Sequence, residues 1–399
     1  MTHNVIIMSL ETSDVQFLEK SCKVDFTQPI EYLEFQQCTA AIVPTKKGEE
    51  DSGKLFFKKA CVAELQKKSP RNPLAKWRVT QMSFINEQKF WKVSPALRQS
   101  GGVLIPALFA LESSGPVDDF TTIFRTLLEY LDLKDVYVER KTVSFEDGEA
   151  QSVVLWLAKF HSFFWENPVN GEFLENGGWW RKKLRPTVKF DALLSTFQHL
   201  SSVFPQEFKT LVDDDQVETD LIELTKLARE DKLMRMLVPH RTLIHGDIKS
   251  SNIFFEKKSK EMVGIDFQWV GNAASGAADL VYFFYGAVKT PVHCEDYQSF
   301  ASIMNSIEVK LKGIYWTEFS KRVITLKRDE FEVHYDLELL EYFTTAAPYL
   351  LSDLTPKTLA KNAHKYGYLT YEFDANMTSY FFQSAIQAYR KQKLFISQD

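Results

Sequence analysis

Two short segments of the chain combine residue types that can bind a metal ion and accept a proton. Residues 245–252 read HGDIKSSN, and residues 264–269 read GIDFQW. Magnesium favours oxygen ligands and usually keeps some water, so the amide of Asn252 and the carboxylate of Asp266 suit it well. The remaining carboxylate, Asp247, can accept a proton from a hydroxyl group.

Phosphoryl transfer requires this combination of groups. Because the migrating group is strongly anionic, the protein must hold Mg²⁺ on the nucleotide phosphates and place one carboxylate beside the acceptor hydroxyl. We therefore predict that Asp247 is the catalytic base, that Asn252 and Asp266 are Mg²⁺ ligands, and that ATP is the phosphoryl donor. The alternative is that the HxDxxxxN spacing arose by chance in a polar loop.

Short apolar runs flank both segments and predict the strands that carry them. Residues 242–244 lead into the first loop and residues 253–255 leave it, while residues 262–265 end at Asp266. The last two strands, joined by a charged turn, form a predicted hairpin. Such a hairpin would bring Asn252 and Asp266 close together, as shared metal binding demands.

The wider sequence around these segments resembles one family of kinases. The stretches HGDIKSSNIFF and IDFQWVGNAASGAADLVYFF are similar to the choline-kinase-like (CHK) group, also called ecdysteroid-kinase-like, of the aminoglycoside phosphotransferase and choline kinase superfamily. Asp-Phe-Gln at residues 266–268 and the later Asp279 are typical of that group. The resemblance implies that Asp279 caps a helix and braces the catalytic loop, and an aspartate before an apolar run also favours a helix N-cap.

The same resemblance implies an α+β fold, bilobal and protein-kinase-like. We expect a small β-rich lobe that binds the nucleotide at residues 1–131 and a larger, mostly helical lobe with the catalytic loop and the substrate site at residues 132–399. A chain of 399 residues with 45% hydrophobic and 25% charged residues can build two such lobes around substantial cores.

A lysine and a glutamate of the first lobe are candidates for binding the phosphates. In a kinase lobe, a lysine of the third strand reaches the α- and β-phosphates and pairs with a glutamate of the following helix. Both Lys58 and Lys59 lie in a predicted strand at residues 54–62, and only one of them can enter the cleft. We favour Lys58; the alternatives are Lys59 or two solvated lysines. Glu87, inside a helical pattern at residues 82–93, is the predicted partner unless it is an exposed helical glutamate.

Adenine recognition leaves little side-chain pattern. Residues 102–111 and 121–131 resemble the last two strands of the lobe, and the resemblance implies that backbone groups of Glu129 and Leu131 bind the adenine edge. An ordinary amphipathic segment is the alternative.

One expected device of protein kinases is missing from the sequence. The first glycine is Gly48, so no GxGxxG loop precedes the lysine strand. Residues 35–40, with the Thr39 hydroxyl, are the candidate phosphate loop in its place.

Several conspicuous side chains receive a structural interpretation. His161 lies in a predicted helix at residues 150–165 that resembles the helix beneath the catalytic loop in the family, and we assign it and His245 a positioning role. Trp179 and Trp180 could stack on a ring or a cation of the acceptor, but packing is the favoured role.

Composition excludes several other classes of protein. A net charge of −5, without a strongly basic stretch, argues against a nucleic-acid partner. Four widely spaced cysteines form no CxxC pair and indicate neither a zinc site nor a disulfide framework. Neither a signal peptide nor a membrane span is predicted, so we expect a cytoplasmic enzyme.

The sequence leaves three hypotheses about function. The leading one is an ATP- and Mg²⁺-dependent kinase that transfers the γ-phosphoryl group to a hydroxyl of a small metabolite or xenobiotic. The second is a nucleotide-binding pseudokinase without phosphotransfer activity, suggested by the missing glycines. The third, a protein kinase, is disfavoured because Asp-Phe-Gly is absent and no Ala-Pro-Glu follows Asp266.

Overall fold

The computed structural model divides the chain into two compact units. The first contains Met1–Val138, Glu256–Lys258 and Val263–Gln268, and the second contains Glu139–Phe255, Ser259–Met262 and Trp269–Asp399. Within these bounds the structure describes residues 10–22, 30–34, 37–45, 54–116, 118–132, 137–139, 145–167, 169, 172–184, 192–291, 294, 296–363 and 374–398.

A five-stranded antiparallel sheet forms the centre of the first unit, with strand order β1-β2-β3-β5-β4. Its elements, in chain order, are α1 (Thr12–Ser21), β1 (Glu31–Glu34), β2 (Thr39–Pro44), β3 (Lys54–Ala60), α2 (Val62–Lys68), α3 (Leu74–Gln99), β4 (Leu108–Ser114) and β5 (Ile123–Glu129), after which comes β6 (Tyr137–Glu139).

The two faces of this sheet are covered by different helices, because successive residues of a strand point to opposite sides. Leu55 and Phe57 of β3 pack against Phe17 and Leu18 of α1. Ala60 of the same strand belongs to a second apolar cluster with Trp77 and Phe84 of α3. Neighbouring side chains of β3 therefore enter different environments.

The second unit is mainly helical. Its elements, in chain order and including the two strands that extend across the unit boundary, are α4 (Asp147–Phe163), α5 (Leu193–Val203), α6 (Lys209–Val212), α7 (Val217–Arg229), α8 (Lys232–Met236), β7 (Thr242–Ile244), β8 (Ile253–Glu256), β9 (Met262–Gly264), β10 (Gly271–Ala273), α9 (Ala277–Ala287), α10 (Tyr297–Phe319), α11 (Arg328–Ala346, continued by a π-helical turn at Ala347–Leu351), α12 (Pro356–Ala363) and α13 (Ala375–Gln398). The predicted α+β class, with a strand-rich first part and a helical second part, is confirmed.

The helix predicted at residues 82–93 has different bounds in the structure. It extends over Leu74–Gln99, because its early turns supply Trp77 and other residues to the apolar cluster under the sheet. In the second unit, Asp231 takes a left-handed conformation, with φ 53°, and this turn separates α7 from α8.

Within the described ranges, none of the helices combines the length and the apolar character that a membrane span requires. Cys22, Cys38, Cys61 and Cys294 are all free cysteines.

A buried carboxylate joins three helices of the second unit. Glu308 of α10 accepts hydrogen bonds from the hydroxyl groups of Tyr380 on α13, at 2.8 Å, and Tyr285 on α9, at 3.4 Å. Burial raises the pKa of Glu308 above its ordinary value, although Lys312 and the tyrosine hydroxyls act in the opposite direction. Desolvation therefore outweighs the favourable contacts of the ionised form.

This balance predicts a pH-dependent difference between the wild type and Glu308→Gln. The folded state binds the Glu308 proton more tightly than the unfolded state, so its contribution to stability is complete below the ordinary pKa of 4.5 and is lost as the pH rises through the raised pKa. In that window, we expect the free energy of unfolding of the wild type to fall relative to the variant by up to about 1.4 kcal/mol per pH unit. Urea denaturation of both proteins between pH 4 and pH 8 measures this, and parallel curves would contradict it.

Candidate active site

Lys58 and Glu87 form a buried ion pair in the first unit. The Lys58 Nζ lies 2.8 Å from each carboxylate oxygen of Glu87, and the two side chains are 11% and 7% exposed. Lys58 projects from β3 and Glu87 from α3, so the sheet and the helix are joined at this point. The ion pair predicted from the sequence is present.

Asp266 completes this group of charges. Its Oδ1 lies 3.5 Å from the Lys58 Nζ, and its side chain is 32% exposed. Burial alone would lower the pKa of Lys58, but Glu87 and Asp266 outweigh that effect and raise it, so Lys58 carries its positive charge at neutral pH. The result is an ammonium group, fixed by one buried carboxylate, beside a second carboxylate that is partly accessible.

Lys59 occupies the opposite face of the sheet. Its Nζ donates to Glu11 at 2.8 Å and to Asp14 at 3.3 Å, both on or beside α1. Asp14 also accepts a hydrogen bond from Arg125, the residue directly across from Lys59 in β5. Lys59 therefore belongs to an ion-pair network separate from that of Lys58 and Glu87.

The backbone around Asp266 is held in an unusual conformation by its neighbours. Asp266 has φ 64°, which few residues other than glycine adopt. The next side chain, Phe267, stacks on Phe90 of α3 with ring centroids 3.7 Å apart, and Asn86 donates to the carbonyl oxygen of Gln268 at 3.1 Å. Helix α3 thus contacts the Asp-Phe-Gln segment at Phe267 and at Gln268.

Cys38, the residue before β2, lies close to the same charges. Burial raises the pKa of its thiol to about 12, so the thiol is protonated at neutral pH. Thr39 begins β2, and Ala40 pairs with Lys58 in the sheet register. Phe35 and Gln36, the first residues of the predicted phosphate loop, lie outside the described residues.

The predicted adenine-binding residues end β5 and follow it. The Glu129 amide donates to the carbonyl oxygen of Ala107 at 2.8 Å. The Glu129 carboxylate accepts from the Ala107 amide at 3.0 Å and from Arg98 at 2.8 Å. The backbone amide of Glu129 is therefore engaged, and Leu131 just beyond it is buried.

In the second unit, both carboxylate oxygens of Asp247 have hydrogen-bond partners. Tyr282 of α9 donates its hydroxyl to Oδ1 at 2.8 Å, and Lys249 lies 2.7 Å from Oδ2. The side-chain amide of Asn252 donates to the Asp247 carbonyl oxygen at 2.9 Å and to Oδ2 at 3.2 Å. Asp247 is 3% exposed, so these groups compensate a buried negative charge.

Asn252 has an orientation that suits a metal ligand. Because its NH₂ group is used by Asp247, its carbonyl oxygen Oδ1 points elsewhere, with the Ser251 hydroxyl at 3.4 Å. A neutral amide oxygen and the partly accessible carboxylate of Asp266 are both hard oxygen donors of the kind Mg²⁺ prefers. Throughout the described ranges, no group of three or more His, Cys, Asp or Glu side chains could hold a metal ion by itself.

Asp279 braces the loop at residues 245–252. Its carboxylate accepts from the backbone amides of His245, at 2.6 Å, and Gly246, at 2.9 Å, and Oδ2 also lies 3.1 Å from the His161 Nε2. The prediction that Asp279 is a helix N-cap was wrong: Gly276 occupies that position, and Asp279 lies in the first turn of α9 with its carboxylate turned to the loop.

A tryptophan-containing loop packs directly on the loop at residues 245–252. The Trp179 amide donates to the Gly246 carbonyl oxygen at 3.1 Å, and the Gly178 amide donates to that of Trp269 at 3.0 Å. Gly246 has φ 78°, and a Cβ there would lie 2.6 Å from the Gly178 nitrogen, so only glycine allows this approach. Trp180 is fully buried and stacks on Tyr282, with centroids 4.8 Å apart. The structure therefore gives Trp180 a packing contact.

The structure adds two residues that the sequence analysis did not single out. Lys249 lies inside the HGDIKSSN segment, where its position two residues after Asp247 was a usable signal. Tyr282 reaches Asp247 only because α9 packs against the loop at residues 245–252, and no spacing in the sequence predicts that contact.

Comparisons with solved structures find kinases at low similarity. An amicoumacin kinase in complex with AMP-PNP, Ca²⁺ and Ami is 12% identical, with a TM-score of 0.45, and the match covers 92% of this chain and 96% of that one. A choline kinase from Cryptosporidium parvum is 10% identical, with a TM-score of 0.43 and 97% of each chain covered. An ethanolamine kinase from Plasmodium vivax is 11% identical, with a TM-score of 0.37, covering 91% of this chain and 84% of that one.

A search of curated protein sequences finds no significant match. The family model of the ecdysteroid kinase-like proteins matches residues 104–305, just over half of the 399 residues. That range contains the loop at residues 245–252, the Asp-Phe-Gln segment and the bracing Asp279. The chain belongs to the ecdysteroid kinase-like family.

Proposed function

We propose that the protein is an ATP- and Mg²⁺-dependent kinase that phosphorylates a hydroxyl group of a small metabolite or xenobiotic. The observation that carries the proposal is the Lys58 ammonium, held by Glu87 at 2.8 Å beside Asp266 at 3.5 Å. A chance HxDxxxxN pattern would not require a buried cation next to the second carboxylate. Membership of the ecdysteroid kinase-like family supports the same chemistry.

Each candidate residue has a separate part in this proposal. Asp247 orients the acceptor hydroxyl and takes its proton, and Lys58 contacts the nucleotide phosphates. Asn252 and Asp266 each offer an oxygen to Mg²⁺, which when bound offsets the negative charge of the phosphates.

The nucleotide base is proposed to bind at the end of β5. Because the Glu129 amide already donates to Ala107, a donor to the adenine edge has to come from the Leu131 amide, and Glu129 contributes its carbonyl oxygen at most. The contact between the Glu129 carboxylate and Arg98 supports this segment in a fixed conformation.

The alternatives are a pseudokinase and a protein kinase. The absence of a glycine-rich loop favours a pseudokinase, whereas the joint presence of Asp247, Asn252 and Asp266 favours an active enzyme. Asp-Phe-Gln in place of Asp-Phe-Gly argues against a protein kinase. We further propose a cytoplasmic location, on the sequence evidence alone.

Incubation of the purified protein with Mg-ATP and a library of hydroxyl compounds tests the proposal. Phosphorylated product, detected by mass spectrometry, is the expected result. If the protein bound the nucleotide but showed no turnover at all, not even slow ATP hydrolysis, the result would favour the pseudokinase.

We predict different effects for substitutions of the two aspartates. Asp247→Asn should lower kcat by roughly 10²–10⁴-fold, because the general base is lost, while Mg-ATP still binds. Asp266→Ala should weaken Mg-ATP binding itself, by roughly tenfold or more, because an anionic metal ligand is lost. Steady-state kinetics and calorimetric titration with Mg-ATP measure the two effects, and equal turnover in wild type and Asp247→Asn would refute the assignment of the base.

The two lysines of β3 provide a matched pair of variants. Lys58→Met should weaken nucleotide binding by roughly 10–100-fold, the usual effect of losing a hydrogen bond to a charged group. Lys59→Met removes an equal charge from the opposite face, so it should lower the melting temperature without a comparable loss of ATP affinity. If Lys59→Met produced the larger loss of ATP affinity, Lys59 and not Lys58 would be the phosphate ligand.

A further inference from the structure

Tyr282 contacts the proposed base from within the protein core. Its hydroxyl lies 2.8 Å from the Asp247 Oδ1, and the residue is 2% exposed. All of its neighbours in α9 are buried as well, so the hydroxyl approaches Asp247 from the inner side of the second unit.

The two oxygens of Asp247 are held by partners of different mobility. Oδ1 accepts from Tyr282, a buried ring with few rotamers. Oδ2 accepts from the Asn252 amide at 3.2 Å and also lies 2.7 Å from the Nζ of Lys249, whose side chain is 25% exposed. A long lysine side chain near the surface moves more easily than a tyrosine in the core. Oδ2 is therefore the oxygen that an acceptor hydroxyl can reach by displacing a partner.

Aromatic packing fixes the position of the Tyr282 ring. Trp180 stacks on it, with centroids 4.8 Å apart and an interplanar angle of 15°. Trp179 and Tyr342 present their edges to it at 6.0 and 5.7 Å. Because offset-stacked and edge contacts define both the place and the tilt of a ring, the direction of the hydroxyl is set before any substrate arrives.

We propose that Tyr282 is a positioning residue for the phosphoryl transfer described above, and this inference rests on the proposed function. Its hydroxyl anchors Oδ1 of Asp247, so that Oδ2 faces the acceptor. In the reaction, the acceptor proton moves to Oδ2 while the acceptor oxygen bonds to the γ-phosphorus. The bond from that phosphorus to the bridging oxygen breaks, and ADP leaves with the electron pair.

Tyr282→Phe tests the proposal because it removes the hydroxyl and keeps the ring. We expect kcat to fall by about 10–100-fold with KM for ATP and acceptor changed by less than about threefold, since a loosened base affects the chemical step more than binding. The acceptor is a compound identified in the library or, without one, water in Mg-ATP hydrolysis. An unchanged kcat would overturn the proposal.

Tyr285→Phe is the matched control. It removes another buried tyrosine hydroxyl of α9, one that contacts the carboxylate of Glu308 at 3.4 Å and not Asp247. We expect this variant to keep the wild-type kcat even if its melting temperature falls. An equal fall of kcat in both variants would show that Tyr282 acts only through the stability of α9.

Crystal structures of the wild type and of Tyr282→Phe provide a measurement that does not depend on turnover. We expect the Asp247 carboxylate to rotate about its Cβ–Cγ bond or to take two orientations in the variant. A carboxylate in the wild-type orientation would overturn the positioning role, whatever the kinetics. If the wild type has no phosphotransfer or hydrolysis activity, the proposed function fails, while the crystal structures still decide whether Tyr282 positions Asp247.

Discussion

The carboxylate of Asp279 accepts hydrogen bonds from two backbone amides of the loop at residues 245–252, those of His245 and Gly246. This carboxylate is completely buried, so its charge has to be compensated by donors nearby, and the two amides together with His161 provide them. The loop is consequently tied to the start of α9. Asp247 directly follows the two anchored residues, so its backbone position depends on this attachment.

The attachment also explains how the aromatic residues reach Asp247. Asp279 and Tyr282 lie one helical turn apart on α9, on the same face of the helix. Asp279 holds the backbone before Asp247, and Tyr282 contacts the Asp247 side chain. Helix α9 therefore holds both the backbone before Asp247 and the Asp247 side chain. Trp180, stacked on Tyr282, fixes the ring that makes the side-chain contact.

The parts that local sequence determines could be predicted, and contacts between distant elements could not. Asp247 and Asn252 share one loop, and short apolar runs announce β7, β8 and β9, so the loops were identifiable from spacing alone. Strand alternation likewise separated Lys58 from Lys59, although only the packing of α1 and α3 shows which face each one occupies. The hydrogen bond from the Tyr282 hydroxyl to Asp247 depends on tertiary packing, which no periodic pattern in the sequence predicts.

The cap predicted at Asp279 shows how two physical roles compete for one side chain. An aspartate before an apolar run can accept the free amides of its own helix or those of a neighbouring loop, but its two oxygens cannot satisfy both sets at once. Gly276 starts α9 without a side-chain cap, and Asp279, three residues later, turns to the amides of His245 and Gly246. The carboxylate of Asp279 thus compensates two backbone amides of a loop that contains the left-handed Gly246, and it is not used to cap its own helix.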